Sequence, residues 1–284
     1  MTRCRSSLAA LALAIAATVP ALQAAAAPLE EVVQLPGPDH RTLVATWFRP
    51  VGHGPFPLIV FSHGSPPDAA ARPGMDRYRL LTPFGALADR GFAVLVPMRR
   101  GFGATGGRFA EGYGTCANPD YGHSGMEAAK DVLAAMKYGQ AQPFVRPDRV
   151  ILAGQSLGGF ASIAAASLAP DGLVAVVNFS GGNGGNPTRS PGEPCHPERI
   201  AATYAAWART IRVPVLWHYV ENDQFFAPHN VRSWYAAFTH AGGTGRLVIQ
   251  PPFGKDGHGV FASIDGVRIW APEFDRFVAQ TALR

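Results

Sequence analysis

The chain has 284 residues, 47% hydrophobic and 16% charged, an ordinary globular composition with enough apolar side chains for one sizeable core. Its formal net charge is +5, but lysine and arginine are dispersed, with no run of like charge and no basic stripe. The charge balance therefore does not point to nucleic acid or to a membrane surface.

The first segment carries the marks of a secretory signal. Thr2-Arg3-Cys4-Arg5 is basic, Leu8 to Val19 is apolar and rich in Leu and Ala, and small residues follow at Ala24 to Ala27 ahead of Pro28. This pattern predicts a signal peptide over 1–27, cut near Ala26 or Ala27, and a single domain over 28–284 that is exported to the periplasm or secreted. A retained membrane anchor fits less well, because the apolar core is short and no second hydrophobic run follows. Removal of Arg3 and Arg5 lowers the charge from +5 to +3. Cys4 leaves with the signal, so Cys116 and Cys195 remain. In an oxidising compartment they form a natural pair, the alternative being two unrelated thiols.

Past the signal, Arg41 to Phe48 alternates as a strand, and Phe56 to Phe61 is a buried strand ending at Ser62-His63-Gly64-Ser65-Pro66. Tyr78 to Arg90 reads as a helix, Phe92 to Val96 as a strand, and Gly125 to Tyr138 as a long helix. Arg149 to Ala153 is a short β-branched strand, and Phe160 to Leu168 a helix that ends before Pro170. Strands follow at Leu173 to Phe179, Val213 to Tyr219 and Arg246 to Gln250, with helices at Ala201 to Thr210, Val231 to Ala241 and Ile269 to Ala279. Alternation of this kind builds an α/β fold, a mostly parallel sheet with helices on both faces. Sites gather where the strands of such a sheet end.

Between the Arg149 strand and the Phe160 helix lies Gly154-Gln155-Ser156-Leu157-Gly158, a G-x-S-x-G pentapeptide. A serine at so sharp a strand-to-helix turn is held above the sheet edge with its hydroxyl exposed, and a Cβ at either glycine would collide with backbone. The following helix aims its unpaired N–H groups at the same point. A serine hydroxyl is a poor nucleophile and needs a base, usually a histidine oriented by a carboxylate. Asp223 lies in Val220-Glu221-Asn222-Asp223-Gln224 and His258 in Lys255-Asp256-Gly257-His258-Gly259, each after a strand. The chain order Ser156, Asp223, His258 is the one expected of a nucleophile on such an elbow. Glu221 is the main competitor for the acid's role, Asp256 is too close to His258 to orient it easily, and His229 and His240 fall at or within a helix. Oxyanion donors are expected from the amide of Leu157 and from the loop after the Phe56 strand. There Ser65 is favoured, since Pro66 has no N–H. The His63 side chain has a purely structural reading as well.

Strand-His-Gly, Gly-Gln-Ser-Leu-Gly-Gly, Glu-Asn-Asp and Asp-Gly-His, in this order, resemble the motifs of an α/β-hydrolase over nearly the whole mature chain. The resemblance is to the dienelactone-hydrolase-like group and its serine-peptidase relatives of the prolyl-oligopeptidase and serine-aminopeptidase type. It implies an α/β-hydrolase fold and Ser-His-Asp acyl transfer. Two departures limit what carries over. Dienelactone hydrolases proper use a cysteine where this chain has Ser156, and the sequence shows no N-terminal propeller of the kind that gates prolyl oligopeptidases.

Between Phe179 and Val213 there is no room for a large cap domain, so the cleft should be open. Cys116 and Cys195 lie in loops on the same side of the sheet, where a bridge would fix cleft shape. Phe102, Tyr113, Tyr121, Phe225, Phe226 and Phe261 are candidate pocket linings or, taken singly, core residues. Arg99-Arg100 could anchor an acidic substrate group, although arginines so placed more often bond loop carbonyls and carboxylates. No metal pattern and no cofactor motif occurs, and Gly181 to Gly185 reads as a flexible loop. The expectation is an exported serine hydrolase acting on a small or short-chain ester, without cofactor, nucleic acid or stable membrane insertion. An amidase or peptidase with the same triad is the alternative within enzymes, and a non-catalytic binding protein the alternative outside them.

Overall fold

A computed structural model describes Met1 and residues 29–281. The expected signal segment and its cleavage site therefore lie outside the described residues, apart from Met1. In chain order the strands are β1 (Leu29–Pro36), β2 (Thr42–Arg49), β3 (Phe56–Ser62), β4 (Ala93–Pro97), β5 (Gly114–Thr115), β6 (Asn118–Pro119), β7 (Val145–Gln155), β8 (Leu173–Phe179), β9 (Val215–Val220) and β10 (Gly245–Gln250). The helices are α1 (Leu81–Ala88), α2 (Tyr121–Gln140), α3 (Leu157–Ala166), α4 (Pro197–Ala208), α5 (Pro228–His240) and α6 (Val267–Val278).

Eight strands form one sheet in the order β1-β2-β4-β3-β7-β8-β9-β10. β1 and β2 are antiparallel, as are β2 and β4, and every other neighbouring pair is parallel. Parallel strands buried on both faces must be apolar at successive positions, and the central strands are. In β3, Leu58 and Val60 face the core under α2 to α5, while Ile59 and Phe61 face the core under α1 and α6. In β7, Leu152 and Ile151 divide in the same way. Under α4 and α5 the aromatic side chains of Tyr204, Trp207, Trp217, Trp234 and Phe238 meet. α4 is thus one of the helices covering the sheet, and no cap domain stands between β8 and β9. No helix among the described residues is long and apolar enough to cross a membrane.

Three expectations about elements need correction. β1 was not anticipated: of its eight residues only Leu35 is buried, so it shows no alternation, and it is held at the sheet edge by pairing with β2. The helix expected from Tyr78 begins only at Leu81, because Tyr78 is committed elsewhere, its amide on Met98 Sδ and its hydroxyl on the Gln155 side chain. Conversely α2 begins at Tyr121, four residues before Gly125. Asp120 caps it by accepting from the His123 amide at 2.8 Å. Glycines at 122 and 125 weaken the helical signal of that first turn.

The topology places the C-terminal ends of the parallel strands along one edge. The loops after β3, β4, β7, β8, β9 and β10 carry His63 to Ser65, Arg99-Arg100, Ser156, Gly181 to Gly185, Asp223 and His258.

Candidate active site

Ser156 follows β7 directly and takes the N-cap position of α3 with φ 56° and ψ −127°, a conformation that costs energy for any residue with a Cβ. It persists because the turn is tied on both sides. The Ser156 amide donates to the Phe179 carbonyl at 3.0 Å, and its carbonyl accepts from Phe160 at 3.1 Å and from Gly182 at 3.2 Å. A Cβ at Gly154 would overlap the Gly158 carbonyl, and one at Gly158 would overlap Ser62. The pentapeptide is therefore packed against the end of β3 through positions that only glycine can fill.

His258 follows β10 in a short 3-10 turn and is 8% exposed. Its Nδ1 lies 3.0 Å from each carboxylate oxygen of Asp223, which is itself 3% exposed. Asp223 Oδ1 also accepts from the amides of Phe225 at 2.8 Å and Phe226 at 3.0 Å, so its orientation is fixed by the backbone of its own loop. An acceptor at Nδ1 puts the ring proton there and leaves Nε2 with a lone pair. That Nε2 is buried and has no hydrogen-bond partner among the described residues. The Phe225 ring stacks on the imidazole at 4.0 Å, and Phe226 meets it edge-on at 5.5 Å.

The competing residues are accounted for. Glu221 is exposed and forms no hydrogen bond or ion pair with His258. Asp256 accepts from the amides of His258 at 2.9 Å and Gln224 at 3.0 Å, so it shapes both loops without touching the ring. His229 pairs with Glu193 on the surface.

Ser65, Ser156 and Leu157 line one cleft of about 440 Å³, together with Tyr113, Phe225 and Phe226. Among the described residues, the amides of Ser65 and Leu157 donate to no backbone acceptor. Phe109, which the sequence reading passed over, lines the cleft as well. Phe102, Tyr121 and Phe261 are core residues instead. The loop 181–185 is close-packed, contrary to the flexible reading. Gly181 offers its carbonyl to the hydroxyls of Tyr204 at 3.2 Å and Tyr219 at 2.5 Å, and the Gly182 amide bonds Ser156.

Arg99 and Arg100 bond loop carbonyls and carboxylates, the favoured of their two readings, and do not serve as a substrate anchor. Arg99 is fully buried, bidentate to Glu111 at 2.5 and 3.1 Å, with Nη1 on the Ser62 hydroxyl at 2.8 Å and the His63 carbonyl at 2.6 Å. Arg100 is taken by Asp131, Asp39 and Glu127. His63 completes this support: its Nε2 accepts from the Arg99 amide at 3.1 Å and its Nδ1 donates to the Gly64 carbonyl at 2.6 Å. Burial first, and the Arg99 charge second, hold its pKa well below the ordinary imidazole value. His63 is thus a neutral strut under the Gly64-Ser65 loop.

Cys116 and Cys195 are joined, with Cα atoms 5.2 Å apart, and both lie on the cleft rim. The bridge links the small β5–β6 hairpin to the segment before α4, where the Tyr121 hydroxyl donates to the Cys195 carbonyl at 2.5 Å.

The prolyl oligopeptidase family matches residues 82–182, which include β7, Ser156 and α3. No curated protein matches the chain in sequence. Among solved structures, acylaminoacyl peptidase of Pyrococcus horikoshii superposes with a TM-score of 0.64 at 17% identity, over 89% of this chain and 42% of that one. A Klebsiella pneumoniae protein described as a dienelactone hydrolase gives 0.63 at 18% identity, over 90% and 100%. The Pyrococcus furiosus esterase Pf2001 gives 0.62 at 16%, over 89% and 93%. The chain thus spans well under half the length of the acylaminoacyl peptidase it resembles. Its fold is that of the α/β-hydrolases, and its likenesses fall in the dienelactone-hydrolase-like and serine-peptidase-like group.

Proposed function

We propose that the protein is an exported serine hydrolase that cleaves carboxylic esters through an acyl-enzyme. The observation that carries this reading is His258: Nδ1 is held by both oxygens of Asp223, while Nε2 is buried and unpartnered among the described residues, in a site where Ser156 sits at positive φ.

In this mechanism Ser156 Oγ attacks the ester carbonyl carbon and its proton passes to His258 Nε2. The carbonyl oxygen becomes an oxyanion that accepts from the Leu157 and Ser65 amides, each donor lowering the barrier by about 3–4 kcal/mol. The C–O bond to the alcohol then breaks, and the departing oxygen takes the proton from Nε2. Water repeats the sequence on the acyl-enzyme, giving its proton to His258 and releasing the acid, and Ser156 Oγ recovers its proton. Asp223 keeps the imidazole in the Nδ1–H tautomer and offsets the positive charge that forms on it.

The same machinery cleaves amides, and the match to the prolyl oligopeptidase family favours that second reading. Support for the ester comes from relatives of the chain's own size. The Pyrococcus furiosus esterase and the Klebsiella pneumoniae protein are covered over 93% and 100% of their lengths, the acylaminoacyl peptidase over only 42%. A panel of p-nitrophenyl esters and aminoacyl p-nitroanilides separates the two. Turnover confined to the esters is expected, and it should vanish in Ser156→Ala and fall about 10⁴-fold in Asp223→Asn. Faster anilide cleavage would favour the peptidase, and full activity in Asp223→Asn would remove Asp223 from its role.

A further inference from the structure

The cleft beside Ser156 holds two guanidinium groups that form no ion pair among the described residues. Arg72 and Arg189 both line it, and neither has an acidic oxygen within ion-pair distance among the described residues. Arg72 is the more telling, because it is half-buried and held on two sides. Its Nε donates to the Ser65 hydroxyl at 3.1 Å, and its guanidinium lies over the Phe109 ring at 4.0 Å. That leaves Nη1 and Nη2, the forked end, without a hydrogen-bond partner among the described residues.

The acidic side chains of the same cleft are already engaged. Glu111 is locked to Arg99. Glu193 lies 3.0 Å from His229 Nε2 and accepts from Asn230 at 2.9 Å. Asp68, near Arg72, caps a 3-10 turn through the Ala70 amide. With Glu111 cancelled by Arg99, the charged groups left lining the cleft are Arg72, Arg189 and Glu193, an excess of one positive charge. Burial disfavours the charged form of Arg72 and is the largest influence on it, ahead of Glu111, Tyr113 and Asp68. A half-buried cation with its fork free is an arrangement that an incoming anion completes.

We propose that the substrate is an ester carrying a second, ionised carboxylate, which the free fork of Arg72 takes with two parallel hydrogen bonds while Arg189 adds its charge from the exposed rim. Carboxylate geometry suits the planar fork, and bidentate pairing supplies orientation as well as attraction. Because Arg72 also touches Ser65, the bound carboxylate is anchored next to a proposed oxyanion donor. This inference rests on the hydrolase reading and names its substrate class.

The test compares two esters on the purified full chain: mono-p-nitrophenyl adipate and p-nitrophenyl 6-methylheptanoate, in which a neutral isopropyl group replaces the carboxylate. The wild type should favour the adipate ester by about ten-fold or more in kcat/KM, as expected of charge-assisted hydrogen bonds. Arg72→Gln should bring the two esters close to parity, mainly through a higher KM for the adipate ester alone, and Arg189→Gln should lower the preference by a smaller factor. Equal rates on the two esters in the wild type, or an equal loss on both in Arg72→Gln, would overturn the proposal and leave ester hydrolysis standing. Cleavage of neither ester, with Ser156 unreactive to a fluorophosphonate, would overturn the hydrolase reading and this inference with it.

Discussion

Gln155 donates from its side-chain amide to the carbonyl of His258 at 2.8 Å, joining the residue before the serine to the loop that carries the imidazole. The same side chain accepts from the Tyr78 hydroxyl, so a single amide bridges three segments at the edge of the sheet. Burial pushes the Tyr78 hydroxyl's pKa far above the ordinary tyrosine value, which keeps it a donor throughout the working range. Gln155→Met keeps the volume and removes both bonds. The expected result is a fall in kcat/KM of about ten-fold, the upper end of one hydrogen bond's net worth, with a stability change of about 1 kcal/mol. Unchanged kinetics on a p-nitrophenyl ester would show that the His258 loop holds its place without Gln155.

The Arg99–Glu111 pair is fully buried, and it supports the loop bearing Ser65 through Ser62 and His63. Removing one partner leaves an uncompensated charge in the core. Glu111→Gln should therefore cost about 3–5 kcal/mol in urea unfolding. The double substitution Arg99→Met with Glu111→Leu should recover much of that loss, since replacing a buried ion pair by apolar groups is often close to neutral. Additive losses in the double variant would mean that the pair's worth lies in its bonds to Ser62 and His63.

Much of this was readable in the sequence. Gly-x-Ser-x-Gly between a β-branched strand and an Ala-rich helix marks the elbow because strand, turn and helix signals agree there. Asp223 and His258 stand out in sequence by their place after strands, and the structure sets His258 Nδ1 3.0 Å from the Asp223 carboxylate. What stayed hidden was long-range. The sequence favours carbonyl or carboxylate partners for Arg99 without naming them, because Glu111 lies in an irregular loop with no period to reveal it. Phe109 and Arg72 enter the cleft through that loop and the one after β3, again without local signal. The start of α4 fell short in prediction because Pro197 stands in its first turn, where it is tolerated.

The Cys116–Cys195 bridge closes a segment of 79 residues, long enough for a substantial effect on the unfolded chain. Replacing both cysteines by serine should cost about 2–4 kcal/mol of stability. Because both cysteines lie on the rim of the cleft, KM should rise more than kcat falls. Loss of kcat alone would place the bridge's influence at the catalytic residues themselves.

Two buried histidines predict sensitivity to acid. Burial holds the pKa of His218 at about 4, below its ordinary 6.5, and that of His63 is lowered as well. The unfolded chain binds these protons as pH falls through about 6.5 while the native state does not, so stability falls with pH from there. For His218 the loss approaches about 3 kcal/mol and levels off below about pH 4. Neither group contributes to the pH dependence above about pH 7.5. Urea midpoints between about pH 7 and about pH 4.5 should decline less steeply in His218→Phe than in the wild type. Parallel declines would assign the acid loss to other groups.

That Ser156 is the activated nucleophile is tested most directly by labelling the folded protein with a fluorophosphonate and mapping the modified peptide. The adduct should sit on Ser156 alone, appear in the wild type, and be absent from Ser156→Ala and strongly slowed in His258→Ala. An unlabelled wild type, or an adduct on another serine, would contradict the assignment of this site.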